Sequence, residues 1–124
     1  MSCKNNLTNN SAQTFKTQIT ECDDPTVTID ASLFTEALYR IFAADCTTVL
    51  VTASFTGGDI SVIVDTDDAG NPINVFETTL TKVKMADTIV PAGQYTHSFK
   101  VTNAAGLELP SVFQNVVTIV RDCD

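Results

Sequence analysis

Few side chains in this sequence could do chemistry. His97 is the single histidine, and alternation places it on the inward side of a strand. A general base needs a nucleophile within reach and an acid to orient it. Spacing brings neither to His97, so it reads as a hydrogen-bonded core or interface residue. Asp65-Thr66-Asp67-Asp68-Ala69-Gly70 matches the start of a calcium loop, with carboxylates at its first and third positions and glycine at its sixth. Asp65, Asp67 and Asp68 are therefore candidate ligands of a surface calcium ion. Ala69 and Phe76 stand where a further ligand and the bidentate glutamate belong, so the expected state is a solvated acidic turn. Cys3, Cys22, Cys46 and Cys123 lack the paired close spacing of a zinc site. They are either free thiols or cross-links, as Cys22–Cys46 within the chain or as terminal cysteines between subunits. A bridge closing a long loop adds on the order of 4 kcal/mol. The terminal cysteines are expected to be accessible and Cys46 buried. No catalytic residue, cofactor or enzymatic activity is expected.

The elements that must position these groups follow from periodicity. The 124 residues suffice for one domain with its own core, expected over 13–124 behind a polar, flexible N-terminal arm, 1–12. Gln13 to Glu21 alternates as a first strand, Asp23-Asp24-Pro25 stops it, and Thr26 to Ile29 is a second extended piece. Over 31–44, Leu33/Phe34, Ala37/Leu38 and Ile41/Phe42 recur at helical spacing behind a capping Asp30 or Ser32. This predicts the one short helix, although Leu33, Ala37, Tyr39 and Ile41 also fit a strand. Val49–Phe55 and Ile60–Val64 flank Gly57-Gly58 and predict a tight hairpin at the centre of a sheet. Asp67–Pro72 turns the chain, Ile73 to Met85 is a long strand, and Pro91-Ala92-Gly93 turns it again. Gln94–Thr102 sends Tyr95, His97, Phe99 and Val101 inward, and Val112–Val120 closes the fold. Short strands punctuated by Gly, Pro and Asn predict a mainly β, antiparallel β-sandwich with one short helix.

A net charge of −8, with 7 basic against 15 acidic residues, opposes nucleic acid and anionic membranes as partners. No apolar run approaches the ~20 residues of a membrane helix. The first ten residues lack the apolar core of a signal peptide, so the expectation is synthesis in the cytoplasm without secretion. The sequons Asn6-Leu7-Thr8 and Asn9-Asn10-Ser11 are then chance matches.

Val90-Pro91-Ala92-Gly93-Gln94-Tyr95-Thr96-His97-Ser98-Phe99-Lys100-Val101-Thr102-Asn103-Ala104-Ala105-Gly106 resembles the P-A-G-x-Y-x-x-x-F-x-V-T rhythm of bacterial and phage Ig-like or jelly-roll domains. The resemblance implies a structural role in a tailed-phage virion, as a capsid decoration protein or tail accessory. The partners would be copies of itself or a major capsid or tail protein, met through the arm or a strand edge such as 13–20 or 112–120. Cys3 in the arm and Cys123 at the end are similar to the cross-linking thiols of jelly-roll subunits of bacterial endospore appendages. That likeness implies a filament partner on a cell or spore surface. A carbohydrate-binding module is the further alternative, with poor aromatic means: there is no Trp, and most other rings sit at core positions.

Overall fold

The computed structural model describes residues 6–20, 27–67 and 69–121. It is mainly β, with ten strands in three sheets: β1 (Asn6–Thr8), β2 (Gln13–Thr17), β3 (Ile19–Thr20), β4 (Thr28–Ile29), β5 (Phe34–Phe42), β6 (Val49–Ser54), β7 (Ile60–Thr66), β8 (Pro72–Leu80), β9 (Gly93–Asn103) and β10 (Phe113–Val120). One sheet has the order β1-β10-β9-β5-β6, another β2-β8-β7, and β3 pairs with β4 alone. Every pairing is antiparallel except that of β1 with β10.

The two larger sheets meet face to face because each presents every second residue to the other. Ala37, Tyr39 and Ile41 from β5, Val51 and Ala53 from β6, Phe99 and Val101 from β9 and Val117 and Ile119 from β10 are buried against Ile60, Phe76 and Leu80 of the smaller sheet. The rings interlock across the gap, Phe15 edge-on to Tyr39 with centroids 5.0 Å apart and Phe76 5.7 Å from Phe99. Such pairs contribute about 0.5–1.5 kcal/mol each beyond their area.

The helix predicted over 31–44 is absent. Its start signal is real but short: Asp30 Oδ1 accepts from the Ser32 N–H at 2.9 Å and caps a single 3-10 turn, Ala31–Leu33. From Phe34 the chain is a strand. A register shift in the β5–β9 ladder passes from Phe34↔Asn103 to Glu36↔Thr102 and leaves Thr35 as a bulge. One extra residue inverts the inward parity, from Phe34 to Ala37, Tyr39 and Ile41. The resulting 34/37/41 spacing imitates a helical stripe.

The central hairpin at Gly57-Gly58 is also overturned. β6 and β7 do not pair; each is an outermost strand, and in different sheets. Gly58 has φ +87° and donates to Phe55 O at 3.1 Å, while the Asp59 N–H reaches Ser54 O at 3.1 Å. These two bonds form a Schellman-type turn, which needs one left-handed residue rather than the two of a type I′ turn. The Glu36 carboxylate fastens this crossover, accepting from the Phe55 N–H at 3.0 Å and the Thr56 hydroxyl at 2.6 Å. Burial pushes its pKa up, but hydrogen bonds from Thr56, Ala37 and Phe55 outweigh that and hold it below the ordinary glutamate value.

Three smaller expectations change. The strand over 73–85 ends at Leu80, where Lys84 N donates to Thr81 Oγ1 and Met85 N to Thr81 O, bending the chain away. The strand expected over 13–21 divides at Gln18 into β2 and β3. Of the arm expected over 1–12, residues 1–5 lie outside the described part. From Asn6 the segment is strand β1, held onward by Asn9 N→Val120 O at 3.0 Å and Asn10 N→Met85 O at 2.7 Å.

Phe76, fully buried among Phe34, Phe55 and Phe99, sets the first prediction. Phe76→Ala should lower the unfolding free energy by about 3–5 kcal/mol. Leu33→Ala, at a side chain 61% exposed, should change it by under ~0.5 kcal/mol. Urea denaturation measures both, and a large Leu33 effect would argue for a buried helical stripe instead.

Candidate functional site

His97 is inward on β9, as its alternation predicts, and 8% exposed. Register places it between Ile41 on β5 and Asn115 on β10. Its Nε2 lies 2.7 Å from Asn115 Oδ1 and its Nδ1 2.8 Å from the Tyr39 hydroxyl. With the amide oxygen turned to the ring, Nε2 carries the proton and donates. Nδ1 then accepts from the Tyr39 O–H, which defines a neutral imidazole. The His97 ring also sits 4.8 Å from Phe113 and 5.5 Å from Tyr39, centroid to centroid.

These groups border a cavity of about 380 Å3 opening between β2 and β10, lined by Leu7, Phe15, Tyr39, His97, Phe113 and Val117. Its size is at the lower end for a small-molecule site. The chemistry available in it is limited. Burial lowers the His97 pKa below 6.5, partly opposed by the Asn115 hydrogen bond, and burial pushes the Tyr39 phenol well above its ordinary range. Tyr39 is therefore no activated nucleophile, and both ring nitrogens of His97 are occupied. The cluster acts as a polar fastener tying β5, β9 and β10 together within an apolar layer.

In the acidic turn Asp65 and Asp67 each have partners of their own. Asp65 accepts from Thr66 N at 2.8 Å and pairs with Lys16 at 3.6 Å. Asp67 Oδ1 accepts from Ala69 N at 3.0 Å and Asn71 N at 2.9 Å, closing the β7–β8 turn. Asp68 lies outside the described residues. Among the described residues no group of three His, Cys, Asp or Glu side chains could hold a metal ion.

Cys46 is exposed rather than buried. It stands at the β5–β6 turn with φ +61°, and its Sγ is 3.5 Å from Thr96 Oγ1. The turn is built by Asp45, which accepts from Thr47 N and Thr48 N at 2.9 Å and from the Thr48 hydroxyl at 2.7 Å. These bonds, that from the Thr48 backbone foremost, bring the Asp45 carboxyl down to about 2. A helix through residue 44 would have carried the adjoining thiol inward; the strand ends at Phe42 and the turn lifts it out. Cys3, Cys22 and Cys123, and every bridge involving them, lie outside the described residues.

Two groups of structural weight escaped the sequence reading. Tyr95 donates its hydroxyl to Pro91 O, four residues upstream, at the entry to β9. The Pro-x-x-x-Tyr spacing in front of the alternating stretch was its signal. Asn115, which sets the imidazole tautomer, had none, because its role exists only through the β9–β10 register.

A comparison with known protein-family models, curated proteins and solved structures finds no match for the chain.

Since the chain has one histidine, a stability change between about pH 7.5 and about pH 5.5 reports on His97. The folded pKa lies below the unfolded 6.5, so the folded state resists protonation. The stabilisation is complete above the unfolded value and is lost as pH falls through the folded one. Urea midpoints should therefore drop over that interval, and His97→Phe should flatten the drop. Tyr39→Phe leaves Nδ1 a buried acceptor without its donor and should cost about 1–3 kcal/mol.

Proposed function

We propose that the chain is an immunoglobulin-like β-sandwich serving as a structural, non-enzymatic component of a bacteriophage particle, as a capsid decoration protein or tail accessory. The observation that carries the reading is strand order. In an immunoglobulin domain of the variable kind, strands C, F and G share a sheet with an added C′, and B, E and D lie in the other. Here β5, β9 and β10 with β6 correspond to the first set, and β2, β8 and β7 to the second. The Tyr95 hydroxyl bond to Pro91 O supports it further, as the tyrosine corner that such domains carry at the start of strand F. His97, two residues on, takes the place of that strand's cysteine. Phe15 and Tyr39 supply rings where the other cysteine and the tryptophan would stand. The stretch 90–106 that resembles phage and bacterial domains spans this corner and all of β9, so the resemblance and the topology point the same way.

In this reading the particle is reached by association with copies of the chain or with a capsid or tail protein. Of the strand edges expected over 13–20 and 112–120, β10 is interior to its sheet, paired on both sides, whereas β2 is outermost. The outermost strands are therefore the surfaces by which the module would associate. Cys46 at the surface favours one second reading, a thiol-linked subunit of a bacterial spore or surface appendage.

Mass spectrometry of density-gradient-purified particles, from a culture carrying the gene, should find the chain co-migrating with capsid or tail proteins. Its recovery in the soluble fraction alone would overturn the virion reading. A reductant-sensitive ladder in non-reducing electrophoresis would favour the appendage. Tyr95→Phe should lower the unfolding free energy by about 1 kcal/mol, and an unchanged value would mean that the Tyr95 hydroxyl does not hold the entry to β9.

A further inference from the structure

We infer that two copies of this chain join through the outer edge of β7, antiparallel about a two-fold axis at Ile63, fusing their three-stranded sheets into one. The inference rests on the assembly reading above and specifies its contact.

The ladder shows which backbone groups face outward. Thr79 N→Asp59 O at 2.8 Å and Asp67 N→Asn71 O at 2.9 Å mark Asp59 and Asp67 as residues bonded toward β8. Between them the register runs Ser61↔Glu77, Ile63↔Val75 and Asp65↔Ile73. In an antiparallel pair, hydrogen-bonded and non-bonded pairs alternate, so the odd residues bond to β8. The backbone groups of Ile60, Val62, Val64 and Thr66 then point away from the sheet. The Thr66 N–H illustrates this, being turned to the side chain of its own neighbour Asp65 at 2.8 Å.

An outward row of this kind is a template for another strand. β7 offers a row of β-branched residues free of proline, and its Val64 is 70% exposed. The other outer strands are guarded or short. On β6, the Lys84 ammonium lies 2.6 Å from Thr52 O and 3.0 Å from Asp59, a charge set against the edge. β2 has 5 residues and carries the exposed Lys16, a charge within a short edge strand. β1 is 3 residues long.

The occupant follows from self-complementarity. With the axis at Ile63, outward residues meet outward residues: Val62 faces Val64 of the second copy, and Ile60 faces Thr66. The exposed Val64 gains an apolar cross-strand neighbour on the core-facing side. Asp65, already paired with Lys16 at 3.6 Å, lies opposite Ser61. Ile63 is the midpoint of Ile60–Thr66, so an axis there pairs all 7 residues of the strand, whereas an axis at Val62 would set Asp65 and Thr66 against the turn residues Asp59 and Gly58. At the strand ends Asp59 approaches Asp67, but Lys84 pairs with the first and the Ala69 and Asn71 N–H groups hold the second. Repulsion from the remainder of the −8 net charge is screened beyond roughly 8–10 Å at physiological salt.

The test uses the full chain in sedimentation equilibrium, with thermal melts confirming that each variant folds. The wild type should dimerise at micromolar concentration, and Val64→Lys should weaken the dimer at least about tenfold. With Cys3, Cys22, Cys46 and Cys123 replaced by Ser, Ile63→Cys should cross-link between copies on oxidation. The non-bonded pair at the axis brings Cα atoms to about 4.5 Å, within disulfide reach. Ser61→Cys should not cross-link, since it faces Asp65. A wild-type dimer unaffected by Val64→Lys, with Ile63→Cys uncross-linked, would overturn the β7 contact and leave the assembly reading standing. A wild-type monomer at hundreds of micromolar would overturn the contact outright. The particle mass spectrometry then judges the virion reading separately.

Discussion

Two twisted sheets can share a core only if the side chains between them fill the gap without leaving a polar group stranded. Here that gap is filled by a layer of rings, Phe15, Tyr39, Phe76, Phe99 and Phe113, in tilted and edge-on contact. Tyr39 brings a hydroxyl into the layer, and an unpaired buried hydroxyl is costly. His97 accepts its hydrogen bond and passes the polar chain on to the exposed Asn115. The three strands that carry these residues are thereby set in register with one another. A change in any of them alters both packing and hydrogen bonding, so stability, protonation and cavity shape are coupled at one place.

The same layer explains the position of the crossover from β6 to β7. Ala53 and Ile60 are both buried, yet they belong to opposite sheets, so the chain between them must climb across the core. The Glu36 carboxylate, beside the bulge in β5, accepts backbone and hydroxyl hydrogens of that climb. Bulge and crossover are thus one device: the extra residue at Thr35 places Glu36 beside the turn it fastens. Their joint effect is to leave β6 and β7 outermost in their sheets. One edge lies against a lysine, while the other carries a row of β-branched residues to the surface.

The proposed role and the proposed contact draw on different parts of the molecule. Strand order and the Tyr95 corner speak to the kind of domain; the parity of the β7 ladder speaks to what its edge would receive. The His97 cluster ties β5, β9 and β10 to one another through its two hydrogen bonds. It fastens the sheet that lies against the one proposed to pair.

Much of this was legible in the residue pattern. Alternation over 94–102 placed His97, Phe99 and Val101 inward, and the Asp, Asn, Gly and Pro clusters marked the turns after β7 and before β9. Those signals are local, because the two-residue period and the φ preferences of turn residues act over a few positions. Other features were hidden for the same reason. A bulge makes a strand mimic helical spacing, and Gly-Gly serves a hairpin and a sheet-to-sheet crossover equally well. Cys46, Asn115 and Glu36 acquire their surroundings from residues up to dozens of positions away. Strand pairing and cross-sheet packing are long-range contacts, chosen by the burial of whole faces, and no short stretch of chain specifies them.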